Sequence, residues 1–369
     1  PPSARVQKAV RNHLIDYGKR GAGAFMTWSA QRDRLRGKLA TLIGAESADD
    51  IVLTQNTSRG LVDVALSLPW RAGDGVLLFD GEFPANVLPW LRAAEVFGLE
   101  VHYLPAELGR EPEELTRRVE ELARAHRLAV AAVSAVQFQT GLRMPLAALS
   151  QVLHAHGAKL VVDAVQAVGM VPLDVRREGI DLLSCGSHKW LMGIEGGGFV
   201  FATREAASEL GRRNGTWFGG EDPLAFLFGG EGKLRYDKPM VRSIGKLATG
   251  NLSATAFVAM EASLDGLLQL GHAEVFAHVQ KIHDAIEPRA VELGMRSLRT
   301  EQASGRSGIL SFLPPAGMSA VHLHRRLGEL GLALAVPDGC LRIAPHFWNA
   351  VDEADQVLLS LEHALGELR

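Results

Sequence analysis

Cysteine is scarce in this chain, with Cys185 and Cys340 the only two among 369 residues. One pair of thiols cannot brace a chain of this length, which must hold itself together by burial, so a disulfide-built secreted scaffold is excluded and a reducing, cytoplasmic setting is expected. Long apolar runs are missing too. The best of them, the Ala/Val-rich stretch Leu128–Val136, falls well short of the roughly 18 residues that a bilayer span needs, so it reads as a buried strand and no membrane partner is expected. The chain also lacks an excess of either charge. Its 39 Lys and Arg against 42 Asp and Glu leave a formal net charge of −3, too little for the general attraction by which a nucleic-acid binder or an anionic-membrane binder works. The opening Pro1-Pro2-Ser3 carries no basic-then-apolar leader, so no signal peptide is expected. Internal repeats and low-complexity tracts are absent, and 47% hydrophobic with 22% charged residues is the balance of a globular chain able to bury a sizeable core.

What is present is an alternation. Between about residues 50 and 203, short apolar runs bounded by Gly, Asp or Pro interleave with longer stretches of helical period. The strand candidates are Ile51–Thr54, Val76–Phe79, Glu100–Leu104, Ala129–Val133, Lys159–Val162, Ile180–Ser184 and Phe199–Phe201. Helices are expected over Ser58–Leu68, Pro84–Phe97, Glu111–His126 and Pro145–His156, with Pro84 and Pro145 suited to a first helical turn. Parallel strands need such crossovers, so the expected fold is α/β, a mostly parallel seven-stranded sheet with helices on both faces.

From Gly211 to Gly250 glycines cluster and periodicity fades, which predicts long loops of functional or subunit-contacting kind. Beyond them, helices Ser253–Leu270 and Ala273–Leu293, strands Ile309–Leu313, Leu332–Val336 and Leu341–Ala344, a helix Ser319–Leu330 and a closing helix Val351–Leu368 suggest a small α+β C-terminal domain. The expected division is a large domain at 18–250 and a small one at 251–369, with an N-terminal segment 1–17, helical around Arg5–Tyr17, packing on the latter.

Several familiar chemistries fail. Gly21-Ala22-Gly23 starts like a dinucleotide fingerprint, but its sixth position is Met26 and no strand precedes it, which removes the main support for a nicotinamide dehydrogenase. Neither a phosphate-binding Gly-x-x-x-x-Gly-Lys-Ser/Thr loop nor a Gly-x-Ser-x-Gly elbow occurs. His154/His156 and His322/His324 are two apart on expected helices, so their side chains diverge and no metal site is expected.

One constellation remains. The run Lys159-Leu-Val-Val-Asp163-Ala-Val-Gln166 ends a buried strand in an acid, and Ser184-Cys-Gly-Ser-His188-Lys189-Trp190 ends the next in a lysine. Open parallel sheets bind ligands at the carboxyl ends of their strands, so Asp163 and Lys189 should face one crevice. Spacing alone leaves two readings open, a structural ion pair at the sheet rim or a reactive amine with its acid.

Together with Leu53-Thr-Gln-Asn-Thr-Ser58-Arg-Gly60, Gly81-Glu-Phe83-Pro-Ala-Asn-Val-Leu-Pro-Trp90, Val136-Gln-Phe-Gln-Thr-Gly141 and Leu341-Arg342-Ile-Ala-Pro-His, these segments resemble the class V aminotransferase family of pyridoxal-phosphate (PLP) enzymes, which includes cysteine desulfurases, kynureninase and isopenicillin-N-epimerase-like proteins. The resemblance covers most of the chain and implies fold type I with pyridoxal 5'-phosphate as cofactor. It implies that Lys189 carries the cofactor as a Schiff base and shuttles the substrate Cα proton, a task for an amine that can become neutral. By the same resemblance Asp163 pairs with the pyridine nitrogen, and Gln166 hydrogen-bonds the ring oxygen. Phe83 stands where many relatives stack a histidine, keeping an aromatic face but no exchangeable proton.

Thr57 and Ser58 open a strand-to-helix junction suited to an anion and are expected to contact the phosphate, as His188 does by resemblance, and Ser187 is a further candidate. Trp217 and Asn251 are implied to reach the phosphate of a neighbouring subunit, which makes the protein a homodimer with shared active sites; core packing is the other reading for Trp217. Arg342 matches the arginine that clamps a substrate α-carboxylate, implying a small-molecule amino-acid substrate.

Desulfurases of the family deliver a nucleophilic Cys on a loop upstream of that arginine, whereas here Leu334-Ala-Val-Pro-Asp338-Gly leads almost directly into it, so Cys340 reads as a packing residue. Transamination is the expected reaction, with a Cα/Cβ lyase or epimerase, or a non-catalytic PLP-fold binding protein, as alternatives. Arg143 and Arg235 stand open between a second substrate carboxylate and solvent.

Overall fold

A computed structural model describes residues 2–211 and 216–368. The chain begins with helices α1 (Ala4–Arg20) and α2 (Phe25–Ile43), then alternates β1 (Ile51–Thr54), α3 (Thr57–Ser67), β2 (Gly75–Asp80), α4 (Leu88–Phe97), β3 (Glu100–Pro105), α5 (Pro112–Ala125), β4 (Leu128–Ser134), α6 (Leu146–Ala155) and β5 (Lys159–Asp163). Then come β6 (Leu182–Gly186), β7 (Gly198–Ala202), and the short helices α7 (Arg204–Glu209) and α8 (Ala225–Phe228). The remainder holds α9 (Ala254–Leu270), α10 (His272–Glu292), β8 (Arg296–Ser297), β9 (Leu310–Leu313), α11 (Ala320–Glu329), β10 (Leu341–Ile343) and α12 (Glu353–Leu368).

The seven strands expected from the first half all form, in one sheet of order β1-β7-β6-β5-β4-β2-β3. All neighbours are parallel except those of β7, which runs antiparallel to both β1 and β6. Strand period explains why the central runs are apolar throughout. Leu77, Phe79, Ala131, Val133, Leu160 and Val162 enter the core on one face, while Val76, Leu78, Val130, Ala132 and Val161 enter that on the other. Ser134 at the end of β4 pairs with Asp163 at the end of β5, and Asp163 with Ser184, two residues before the end of β6.

A smaller antiparallel sheet of order β10-β9-β8 belongs to a third core that runs from Ile282 to Leu365. The cores divide later than the boundary expected after residue 250, because Phe257, Met260 and Leu264 of α9 and Val279 of α10 pack with the large sheet. α1 lies along α9.

Three details differ from the sequence reading. Leu332–Val336 is not a strand, since it makes a single antiparallel bridge, Ala335 to Arg342, before the turn Pro337–Gly339 with Asp338 at φ 44° reverses the chain. Helix α2 has its buried leucines, Leu35, Leu39 and Leu42, gathered in its second half, while Phe25, Met26 and Trp28 of its first half are not buried, so its period is weak. Strand β8 is two residues long and leaves no periodic trace. The glycine-rich stretch is mostly loop, as expected, broken by α8 and by 3-10 turns at Trp217–Gly219 and Ile244–Leu247; its residues 212–215 lie outside the described residues. No helix among the described residues is long and apolar enough to cross a membrane.

The seating of α3 fixes where its amino end points. Asn56 Oδ1 accepts the Arg59 N–H at 2.8 Å as N-cap, and Ser184 Oγ donates to the Thr57 carbonyl at 3.0 Å. Gly60 lets the helix approach the sheet, since a Cβ there would lie 2.2 Å from Ser184 Oγ and 2.6 Å from Val200 Cγ2. Gly60→Ala is expected to destabilise the chain by about 1–3 kcal/mol in urea unfolding, and an unchanged midpoint would show that the helix is not held this tightly.

Candidate active site

Asp163 closes β5 with its side chain 3% exposed, and Oδ1 accepts the Val165 N–H at 3.0 Å. Burial pushes its carboxyl up to about 7; the Val165 hydrogen bond and Lys189 pull the other way, and the nearby Glu82 charge adds to the rise. Lys189 lies in the loop after β6, tightened by the Met192 N–H donating to the Lys189 carbonyl at 2.9 Å. Burial lowers the Lys189 ammonium from its ordinary range, Asp163 opposes that, and Arg342 adds to the lowering. The amine also stands 5.7 Å from the centre of the Phe83 ring, which meets Phe138 edge-on at 5.3 Å. Asp163, Lys189, Phe83 and Arg342 therefore share one crevice at the carboxyl ends of the strands.

Arg342 comes from β10 of the small sheet. Its Nη1 donates to the Phe138 carbonyl at 2.8 Å, whereas its Nε is buried without a hydrogen-bond partner. An unsatisfied guanidinium N–H inside a crevice is a ready donor to a carboxylate. Gln166 Oε1 accepts from Trp190 Nε1 at 2.9 Å, which leaves the amide nitrogen as the end available to an oxygen acceptor.

A second polar pocket adjoins the first. The Thr57 hydroxyl, in the first turn of α3, is buried and unpartnered. A Cβ on Gly186 would lie 3.1 Å from that hydroxyl and 3.2 Å from His188 Nδ1, so Thr57 and His188 converge over a bare patch of backbone. Burial lowers the His188 imidazole, with Lys189 adding to the effect. Free helix N–H groups, a hydroxyl and an imidazole make a cradle for an anion. Ser58 is exposed and shares with Phe83, Leu88 and Pro89 a cleft of about 650 Å³ between α3 and α4. Ser187 is turned away, donating to the Ile194 carbonyl.

Other sequence candidates fall outside this group. Trp217 is 52% exposed and stands against Gly250, beside the exposed Asn251; neither makes a described contact with Thr57, His188 or Lys189. Arg143 is held by Glu178 Oε1 and the Pro172 carbonyl, both at 2.9 Å, and Arg235 by Asp237 at 2.8 Å on the surface. His154 bonds Asp181 and His324 the Leu334 carbonyl.

Glu82 was missed. It is 8% exposed and accepts from the Ser134 N–H at 2.6 Å, from the Ser134 hydroxyl and from Gln137 Nε2 at 3.0 Å, and burial raises its carboxyl. The signal was available, because an acid just past a buried strand is what singled out Asp163.

A family model for class V aminotransferases matches residues 12–353. The chain belongs to the class V aminotransferase family. It is 26% identical over 346 residues to the uncharacterized aminotransferase YcbU of Bacillus subtilis, covering 90% of this chain and 82% of that protein. It is 28% identical to isopenicillin N epimerase of Streptomyces clavuligerus over 345 residues, 90% of this chain and 84% of that one. Its fold matches that of the Escherichia coli cysteine desulfurase CsdA with a TM-score of 0.83 at 21% identity, covering 99% and 92% of the two chains. As a class V aminotransferase-family chain of fold type I it is a PLP-dependent enzyme. The pockets fit that cofactor: an anion cradle with an orphaned hydroxyl, a lowered lysine amine, an aromatic face and a buried carboxyl.

The raised carboxyl sets a pH dependence. In the cofactor-free chain Asp163 is protonated when folded up to about pH 7 but ionised when unfolded above about pH 4, so its contribution to stability falls as pH rises through that window. Asp163→Asn in the cofactor-free chain is therefore expected to raise the melting temperature at about pH 8 and to change it little at about pH 4. Equal shifts at both pH values would refute the raised carboxyl.

Proposed function

We propose that the chain is a homodimeric aminotransferase of the class V family acting on an amino acid. The observation that carries the reading is a buried lysine amine, lowered by its surroundings, set between Asp163 and an arginine whose Nε is unpaired. Bound pyridoxal phosphate supplies a ring that takes up the electron pair released when the substrate Cα loses its proton. The protein does the rest. Arg342 would grip the α-carboxylate and set which Cα bond is presented; Lys189 Nζ, once neutral, would accept the Cα proton and deliver it to the carbon on the other side of the substrate nitrogen. Asp163 would hold the ring nitrogen protonated, Gln166 its ring oxygen, and Thr57, Ser58 and His188 the phosphate.

Two observations favour transamination over Cβ elimination and persulfide chemistry. Elimination at Cβ calls for a group to protonate the departing atom, and Phe83 has no proton to give. Persulfide chemistry calls for a mobile thiol, whereas Cys340 is 8% exposed, its thiol is raised by burial, and it follows a tight turn tied to Arg342 through the Ala335 bridge.

The dimer is supported by the apolar side chains that the glycine-rich stretch leaves in water: Trp217, Phe226, Leu227, Phe228, Leu234 and Tyr236, the last 94% exposed. On this reading Trp217 and Asn251 complete the partner's phosphate site. Both cysteines are free and buried, in keeping with a reducing cytoplasm.

Lys189→Ala is expected to abolish the borohydride-reducible visible absorption of the bound cofactor and all turnover; a reducible covalent band in that variant would remove Lys189 from its role. Across a panel of amino acids with a keto-acid acceptor, the native enzyme should give the matching keto acid and new amino acid, while release of ammonia or sulfide would favour a lyase. Mixing inactive Lys189→Ala chains with Trp217→Ala chains should restore activity, since each hybrid dimer keeps one site with both residues native. No recovery would place Trp217 outside the partner's site.

A further inference from the structure

At the far end of the sheet from Lys189, three ligand-type side chains converge with no role in the reaction. Glu100 opens the edge strand β3, His102 lies two residues on along the same face, and His126 caps the carboxyl end of α5. Between β3 and β4 runs β2, whose first residue, Gly75, pairs with both Glu100 and Leu128. A Cβ on Gly75 would lie 3.3 Å from His102 Nε2, so the glycine leaves room beside the imidazole. Glu100 Oε2 is 3.2 Å from His126 Nδ1 and 3.8 Å from His102 Nε2, and the three ligand atoms all lie within 4.8 Å of one another. The two imidazoles are 4.1 Å apart, centre to centre. His102 is the more enclosed, its side chain 15% exposed and its Nε2 buried with no hydrogen-bond partner.

We propose that Glu100, His102 and His126 form a surface site for one zinc-class divalent cation that fastens the edge strand β3 to the α5–β4 junction. Ligand bonds of 2.0–2.1 Å in a tetrahedron set donor atoms about 3.3–3.4 Å apart, which the 3.2 and 3.8 Å separations bracket. Glu100 and His126, 55% and 38% exposed, are free to turn the remaining distance. Two imidazole nitrogens and one carboxylate oxygen suit zinc, cobalt or nickel and not the all-oxygen preference of magnesium or calcium. Burial and the neighbouring His126 lower the His102 imidazole, which keeps it in the neutral, ligating form. The fourth position faces solvent and takes water. Since the site sits at the amino ends of β2 and β3 and the crevice at the carboxyl ends, the ion braces the fold without entering the chemistry.

The test is calorimetric titration of tag-free, chelator-treated holoenzyme with zinc chloride. One equivalent per chain is expected to bind at micromolar concentration and to raise the melting temperature, with magnesium chloride neither binding nor competing. His126→Gln, a surface change that should leave cofactor absorption and turnover intact, is expected to weaken zinc at least about tenfold and to erase the thermal shift; Glu100→Gln should do the same. Zinc binding equal in the native and His126→Gln proteins, or no uptake by the native protein at micromolar zinc, would overturn the proposal.

Discussion

Holding the Asp163 carboxyl out of water at the end of β5 is the constraint around which this crevice is organised. A buried carboxylate with one backbone N–H for company is far from satisfied, which is why its proton is held up to about 7. Glu82, another buried acid close enough to repel it, is tied instead to Ser134 and Gln137, on the strand end directly beside Asp163. Two acids with one shared strand end and little solvent give the crevice a strong preference for a cationic or proton-donating group next to Asp163. A protonated ring nitrogen has that character. Lys189, in the loop that follows the next strand, feels the same field, but its own burial outweighs the attraction and leaves the amine easier to deprotonate.

The Arg342 side of the crevice depends on a loop rather than a strand. Residues 137–141 follow β4 and are caught by the small sheet at several points: Arg342 Nη1 donates to the Phe138 carbonyl, Ser311 Oγ to that of Gln139 and Ser307 Oγ to that of Gly141, while Gln139 Nε2 reaches Asp338. His346 adds a contact to the Trp190 carbonyl at 3.0 Å, one residue beyond Lys189. These contacts orient the guanidinium: with Nη1 spent on Phe138, the remaining donors are held in a fixed direction. A bidentate carboxylate clamp works only if its fork does not swing.

The large sheet was legible because its strands are buried on both faces and so read as unbroken apolar runs between turn residues. Asp163 and Lys189 were legible for a related reason, as polar residues just past or at the carboxyl ends of such runs, whereas Gln166 came only from the family resemblance. What escaped notice obeys weaker local signals. Helix α2 buries one face only toward its end, β8 is too short to show a period, and Leu332–Val336 has the composition of a strand but is turned aside by Pro337 before it can pair. Glu82 was hidden by its neighbour: Phe83 drew attention as the departure from the family pattern, whereas the acid before it holds the adjoining strand end. Trp217 and Asn251 show a different limit, since a single chain leaves both on its surface and the role proposed for them would be completed only by a second chain.

The anion cradle shows how packing and recognition are tied at one point of the chain. Gly60 lets α3 sit against Ser184 and Val200, and that close seating brings the Thr57 hydroxyl over Gly186, where a second missing side chain leaves the backbone open. Were either position filled, the helix would lift or the floor would rise, and the hydroxyl and the His188 imidazole would no longer meet over one spot. The Thr57 hydroxyl is left without a partner in the bargain, a cost of roughly 1–3 kcal/mol in a folded chain. A chain that tolerates such an orphan where helix N–H groups also point is arranged for an anion, and the ring-side residues lie one strand further along the same rim. The spacing between cradle and ring pocket is therefore set by β5 and β6 themselves, which pair at Asp163 and Ser184, and not by the loops that carry Lys189 and Phe83.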